Sequence, residues 1–125
     1  MFEKENRLIQ LLGRIERRKL LDRCESVDMD LSDVVSLAQA RTRHVYFPTT
    51  GFVSLVIEVD GRPGLEVGMV GREGMLGAEL LLGNNTAQSR MVVQGAGSFW
   101  RMKAPAFQQM LDECGLHDAA PGSAA

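Results

Sequence analysis

The residues with the clearest potential for ligand chemistry lie in the glycine stretch, residues 71–90, whose sequence is GREGMLGAELLLGNNTAQSR. Three glycines open it at intervals of three residues, and a polar turn at 83–86 precedes the polar pair Ser89 and Arg90. Glycines expose backbone N–H groups at the start of a helix, where the helix dipole also favours an anion. The stretch is therefore a candidate phosphate-binding element. The alternative is a tight connection between a strand and a helix that binds no ligand.

The other reactive residue types do not predict an active site or a metal site. His44 and His117 are the only histidines, whereas a jelly-roll metalloenzyme needs several histidines and a carboxylate. Cys24 and Cys114 cannot supply the four thiolates of an iron–sulfur cluster, and we expect them to be free thiols that fill apolar space. No serine has the partnered His and Asp pattern of a hydrolase triad. The sequence thus predicts no enzymatic activity.

The composition is typical of a single soluble globular domain. The chain has 125 residues, of which 45% are apolar and 24% charged, and this length can bury a sizeable core. Its formal charge of −2 provides no overall basic field for nucleic acid. No apolar run approaches the roughly 20 residues that cross a bilayer, and the charged N-terminus is unlike a signal peptide. We expect a cytoplasmic protein with no membrane partner.

Helices are predicted at both ends of the chain. Asn6 is suited to cap a first helix, Gly13 interrupts the helical pattern, and the pattern resumes over residues 15–24. Pro105 is suited to the first turn of a last helix. Apolar residues follow at helical spacing and predict one buried face, formed by Phe107, Met110, Leu111 and Cys114.

Short strands joined by turns are predicted between these helices. The strongest is Phe52–Val59, which runs directly into Asp60-Gly61, a pair that favours a tight hairpin turn. Strands are predicted over residues 27–31, 34–37, 44–47, 52–59, 65–69, 89–94 and 98–103. No crossover helix separates them, so seven or eight strands in a jelly roll are expected. The predicted domain spans residues 1–118, and residues 119–125 are expected to form a disordered tail.

Several segments in this order resemble the sensory domain of the Crp/Fnr transcription regulators: the lead-in helices, HVYFPTTGFVSLV, VIEVDGRPGLEVGMVGREGM and APAFQQML. The resemblance implies a mainly β fold, an eight-stranded jelly-roll-like β-roll of the cyclic-nucleotide-binding kind, with flanking helices at the N- and C-termini. It places the glycine stretch where the family has its phosphate-binding cassette, and a cyclic nucleotide, cAMP or cGMP, is the ligand that it implies. The ligand-binding residues carried over are Gly77, Ala78, Glu79, Ser89 and Arg90.

The glycine stretch departs from the family pattern at both ends. Nucleotide-binding members have a Gly-Glu pair for the ribose hydroxyl and an Arg followed by Ser or Thr for the cyclic phosphate. Here Glu79 comes one place late, and Ser89 precedes Arg90. Counting back from the last strand puts Ala87 near the place of the phosphate arginine, where the loss of a guanidinium removes a bidentate, charge-assisted contact. These departures weigh against cyclic-nucleotide binding.

The resemblance also implies a long dimerisation helix and a helix-turn-helix domain after the roll, and neither pattern follows Leu116. We therefore expect this chain alone to bind no specific DNA and to be a monomer or a weak homodimer. The first hypothesis is the regulatory, ligand-sensing domain of a Crp/Fnr-like transcription regulator without its DNA-binding half. The alternative is a ligand-free β-roll interaction module that acts through a protein partner.

Overall fold

The computed structural model describes residues 5–114. The helices in this range are α1 (Arg7–Gln10), α2 (Arg14–Asp22) and α3 (Ala104–Glu113), and a 3₁₀ helix covers Ala78–Leu82. The strands are β1 (Glu25–Met29), β2 (Val34–Ser36), β3 (His44–Pro48), β4 (Phe52–Val59), β5 (Arg62–Val70), β6 (Arg90–Gly95) and β7 (Gly97–Lys103). No described helix is long and apolar enough to span a membrane.

The strands form two antiparallel sheets, one with the order β1-β7-β3 and one with the order β2-β6-β4-β5. The expected mainly β roll with flanking helices is therefore confirmed. Residues 5–114 contain seven strands rather than eight. The pairing continues only as two isolated bridges, Arg41–Thr86 and Tyr46–Leu76. Between Leu76 and Thr86, the left-handed backbone of Gly77 and Gly83 bends the chain away from an extended path, so no further strand forms.

The predicted hairpin between β4 and β5 is confirmed. Asp60 and Gly61 both have positive φ, at 53° and 72°, and Val59 pairs with Arg62 across them. A two-residue turn with both central residues at positive φ matches the right-handed twist of the strands that it joins. The predicted domain limit at residue 118 and the tail at 119–125 lie outside the described residues.

Alternation along β3 and β7 separates two apolar cores. Val45 pairs with Met102 and Phe47 with Trp100, and these side chains face the helices in the helix-side core. Tyr46 and the β7 residue Phe99 point the other way, into the roll-interior core between the two sheets. The helix-side core also contains Ile9 of α1, Leu20 of α2, Leu80 of the 3₁₀ helix, and Phe107, Met110 and Leu111 of α3.

The prediction of a buried α3 face is wrong for one of its four residues. Phe107, Met110 and Leu111 are buried, but Cys114 is exposed because it is the C-cap, just beyond the last helical residue. Cys24 is half-buried and packs against the helix-side core, as expected for a cysteine that fills apolar space. Burial raises the pKa of the Cys24 thiol to about 12, so this thiol is unreactive at neutral pH.

Asn6 attaches the N-terminal helices to the roll. Its side-chain amide donates to the carbonyl oxygens of Pro48 and Gly74, both at 2.9 Å. Its Oδ1 accepts from the backbone N–H groups of Leu8 and Ile9 at 2.9 and 3.2 Å, which confirms the predicted helix cap. With only 1% of its surface exposed, Asn6 gains little from water, so each of these bonds would be costly to lose.

Replacement of Asn6 by alanine is expected to lower the free energy of unfolding by about 2–4 kcal/mol, since it removes a helix cap and the donor to the carbonyls of Pro48, which is buried, and Gly74, which is half-buried. Urea denaturation followed by circular dichroism measures the change. Asn6→Asp should be destabilising too, because a carboxylate can cap the helix but cannot donate to Pro48 and Gly74. Arg7→Ala, an exposed neighbour, is the control. An equal effect of Arg7→Ala and Asn6→Ala would contradict this role.

Candidate functional site

The first half of the glycine stretch is attached to β3 by two backbone hydrogen bonds at Leu76. The N–H of Tyr46 donates to the carbonyl of Leu76 at 3.0 Å, and the N–H of Leu76 donates to the carbonyl of Tyr46 at 2.8 Å. Gly77 follows with φ of 91° and is the N-cap of the 3₁₀ helix. A Cβ on Gly77 would lie 2.8 Å from Cγ1 of Val45 and 3.1 Å from the carbonyl oxygen of His44. Glycine is thus required here both by φ and by the closeness of β3.

The far end of the stretch pairs with residues 39–43, which we name the arginine segment because it contains Arg41 and Arg43. Gln39 N–H donates to Ala87 at 2.9 Å, and Ala87 N–H donates to Ala40 at 2.9 Å. Thr42 N–H donates to Asn85 at 2.7 Å. The glycine stretch is therefore held at one end by β3 and at the other by the arginine segment.

A cavity of about 320 Å³ lies between the glycine stretch, the arginine segment and β2–β3. Its floor is formed by buried side chains of the roll interior: Tyr46, Leu76, Ala87 and Met91. Arg41 and Arg43 lie at the exposed rim. An apolar floor with a few polar groups near its opening is typical of a small-molecule site.

The site residues expected from the sequence fall into two groups. Gly77 and Glu79 line the cavity. Ala78 is exposed, Ser89 is buried, and neither lines it. Arg90, the first residue of β6, pairs with Val56 of β4 and lines a separate depression of about 200 Å³ with Glu58 and Gly64. The structure thus brings together only Gly77 and Glu79 of the five.

The carboxylate of Glu79 is engaged within the protein. Its Oε2 accepts a hydrogen bond from the hydroxyl of Thr42, 37 residues earlier in the chain. This contact joins the 3₁₀ helix to the arginine segment directly across the edge of the cavity. A ligand hydroxyl that bonds Glu79 would compete with Thr42 for this carboxylate or share it.

His44 lies at the cavity edge in a basic environment. Burial lowers the pKa of His44 below its ordinary value of 6.5, and the charges of Arg101, Lys103 and Arg43 act in the same direction, while Glu25 opposes them. The imidazole is 6.0 Å from the ring of Tyr46, centroid to centroid. His44 is consequently neutral at pH 7 and can act there as a hydrogen-bond donor or acceptor without adding charge.

Sequence reasoning missed most of the cavity. Neither Tyr46 nor the arginine segment was among the site residues expected from the sequence, and the structure places both on the cavity. The only sequence signal was Arg41-Thr42-Arg43 immediately before a strand, which by itself fits any exposed loop. Within residues 5–114, no group of three or more His, Cys, Asp or Glu side chains is placed to hold a metal ion.

The two antiparallel sheets form a β-roll with a cavity beside a short 3₁₀ helix. Residues 31–114 match the family of cyclic nucleotide-binding domains. Because the match covers more than half of the chain, the chain belongs to this family, which confirms the resemblance seen in its sequence. Comparison with curated proteins gave no match.

Solved structures show the same fold at low identity. The N-terminal domain of a transcriptional regulator from Streptomyces coelicolor has a TM-score of 0.74 at 14% identity, over 95% of this chain and 83% of that one. Catabolite activator protein from Thermus thermophilus has a TM-score of 0.74 at 13% identity, over 91% of this chain and 54% of that one. The regulatory subunit of a cAMP-independent protein kinase A from Trypanosoma brucei has a TM-score of 0.75 at 17% identity, over 98% of this chain and 46% of that one. The chain thus spans about half of the last two proteins.

Gly77→Ala is expected to destabilise the domain by more than Gly83→Ala. Both positions have positive φ, which costs a residue other than glycine about 1–2 kcal/mol, but a Cβ on Gly83 has nothing within 4 Å. The alanine at 77 must in addition push against β3. Thermal unfolding of the two variants measures the difference, and equal melting temperatures would contradict the close approach of Gly77 to β3.

His44 should titrate with a pKa below the ordinary histidine value of 6.5. We expect an NMR midpoint under 6.5 in a His117→Gln background, where His44 is the only imidazole. The unfolded chain keeps the ordinary pKa and binds the proton first, so stability should fall as the pH drops below about 6.5. Urea denaturation at about pH 7.5 and about pH 5.5 measures this loss, and adding His44→Gln should reduce it. A midpoint at or above 6.5 would refute the basic, partly buried environment.

Proposed function

We propose that this chain is the regulatory, ligand-sensing domain of a Crp/Fnr-like transcription regulator, and that the cavity beside the 3₁₀ helix holds a small-molecule effector. The observation that carries the proposal is the cavity of about 320 Å³, which lies within the family's fold and is bounded by Gly77 and Glu79 of the glycine stretch. The domain is proposed to act by binding, with no catalytic step, in the cytoplasm. DNA contact is not assigned to it, because a formal charge of −2 provides no overall basic field.

A continuous set of contacts supports a sensing role. The 3₁₀ helix contacts the arginine segment through Glu79 and Thr42. The carbonyl of Arg43 accepts from the N–H of Ala104 at 2.8 Å, at the start of α3. Leu80 of the 3₁₀ helix packs in the same core as α3. A ligand that binds one arrangement of these elements more tightly than another would shift the population towards it.

Cyclic nucleotides are not the effector that we propose. Ala87, near the place of the family's phosphate arginine, lies on the cavity floor with 1% of its surface exposed. A cyclic phosphate there would lose its hydration without gaining a guanidinium, and burying an uncompensated charge is costly. A parallel comes from the trypanosome subunit, described as cAMP-independent. A triple mutant of that protein, which includes a threonine-to-arginine substitution, is bound to cAMP in its A site.

One observation favours the alternative of an interaction module. The β4–β5 hairpin exposes four apolar side chains close together in the chain: Val59, Leu65, Val67 and Met69 are each 42–56% exposed. Exposed apolar groups in one region are typical of protein contact surfaces. This second function would not require the cavity, so a chain that binds no small molecule at all would favour it.

Calorimetric titration with cAMP and cGMP tests the assignment of the cavity. The unmodified protein should give no binding heat up to roughly 1 mM nucleotide, and Ala87→Arg should bind cAMP with a dissociation constant in the micromolar range, because a guanidinium then meets the phosphate. Ala87→Gln is the control for side-chain size, because glutamine is longer than alanine but carries no charge. Gln88→Arg adds the same charge at an exposed neighbour.

Micromolar cAMP binding by the unmodified protein would disprove the exclusion of nucleotides. Equal gains from Gln88→Arg and Ala87→Arg would show that binding does not occur in the cavity. Circular dichroism spectra of each variant establish that it is folded before its binding heat is interpreted.

A further inference from the structure

The floor of the cavity can accept only an apolar group. Leu76 and Ala87 are 2% and 1% exposed, Met91 is 7% exposed, and Tyr46 is 8% exposed. No ionised side chain lies among them, and the one carboxylate of the lining, Glu79, is at the edge and bonded by Thr42. A charged group placed on this floor would lose water and find no counter-charge, which costs several kcal/mol.

The rim, by contrast, has uncompensated positive charge. Arg41 and Arg43 are exposed, and neither forms an ion pair with a carboxylate of residues 5–114. Two arginines against the single carboxylate of Glu79 leave a local charge of +1 in a chain whose formal charge is −2. A guanidinium binds carboxylates and sulfonates through paired N–H donors.

The rim and the floor together specify an amphipathic shape. We propose that the effector is a compact organic anion whose apolar chain or ring lies on Tyr46, Leu76 and Met91 and whose carboxylate lies between Arg41 and Arg43. This inference rests on the proposed function and names its ligand class. The size of the cavity, about 320 Å³, admits a medium-chain or single-ring carboxylate. A cationic ligand would be repelled by the two arginines. A strongly polar ligand would lose its hydration on the apolar floor without gaining hydrogen bonds.

Decanoate, decanol and decylamine test the charge requirement, since they share one chain and differ only in the head group. By calorimetry, decanoate should bind at least about tenfold more tightly than decanol, the gain expected from one charge-assisted hydrogen-bonded contact. Decylamine should bind most weakly. Equal affinities for decanoate and decylamine would overturn the proposal.

Substitution of the rim provides the second arm. The double variant Arg41→Gln/Arg43→Gln should lose about tenfold or more in decanoate affinity and leave decanol affinity unchanged. Arg14→Gln/Arg18→Gln removes the same charge from exposed positions of α2 and should change neither. An unchanged decanoate affinity in the rim variant would overturn the assignment of the head group.

Methionine methyl signals locate the apolar body. In protein labelled with ¹³C at the methionine methyls, decanoate should shift Met91, on the cavity floor, and leave Met110, in the helix-side core, unchanged. Met91→Leu and Met110→Leu assign the two signals. Shifts confined to Met69, on the exposed hairpin, would show surface adsorption and overturn the site.

The failure of this ligand class can be told apart from failure of the cavity as a site. If Ala87→Arg gains cAMP binding and no alkyl anion binds the unmodified chain, the cavity remains the effector site and the ligand class is wrong. If neither binds, the ligand class and the proposed sensing function are both wrong.

Discussion

The structure of the site depends on the pair of backbone hydrogen bonds that Tyr46 and Leu76 exchange. They hold the first half of the glycine stretch against β3, with N···O distances of 2.8 and 3.0 Å at Leu76. The next residue, Gly77, has to turn the chain with a left-handed backbone in the space beside Val45. This attachment fixes the position at which the 3₁₀ helix starts relative to Tyr46. The glycine stretch leaves β3 at this point and pairs again with the arginine segment. The cavity lies between these two attachments.

The return at the arginine segment gives the cavity its chemical asymmetry. The backbone bonds between Ala87 and residues 39 and 40 bury a small apolar side chain on the floor and leave the side chains of Arg41 and Arg43 in solvent at the rim. Charge is therefore placed where water can still hydrate it, and apolar surface is placed where it cannot. The same segment reaches α3 through Arg43 and Ala104, so the cavity and the helix-side core share one structural support.

Alternation of side chains along β3 and β7 separates the cavity from the helix-side core. Val45 and Met102 face the helices, whereas Tyr46 and Phe99 face the roll interior. Leu80 crosses this division, because the 3₁₀ helix of the glycine stretch inserts it into the helix-side core. One short helix thus lines the cavity with Glu79 and packs into the core of the terminal helices with Leu80.

The sequence by itself determined the local features of this protein: the Asn6 cap, the Asp60-Gly61 turn, strand alternation and, through the order of its segments, the family. The first three depend on neighbouring residues only, and the family follows from the order of segments along the chain. The sequence could not show which residues of the glycine stretch line the cavity, because two left-handed glycines reorient the side chains in ways that spacing does not reveal. Nor could it bring Thr42 to Glu79, 37 residues away, or place Arg41 and Arg43 at the rim. Those positions follow from contacts between distant segments, which only the tertiary structure decided.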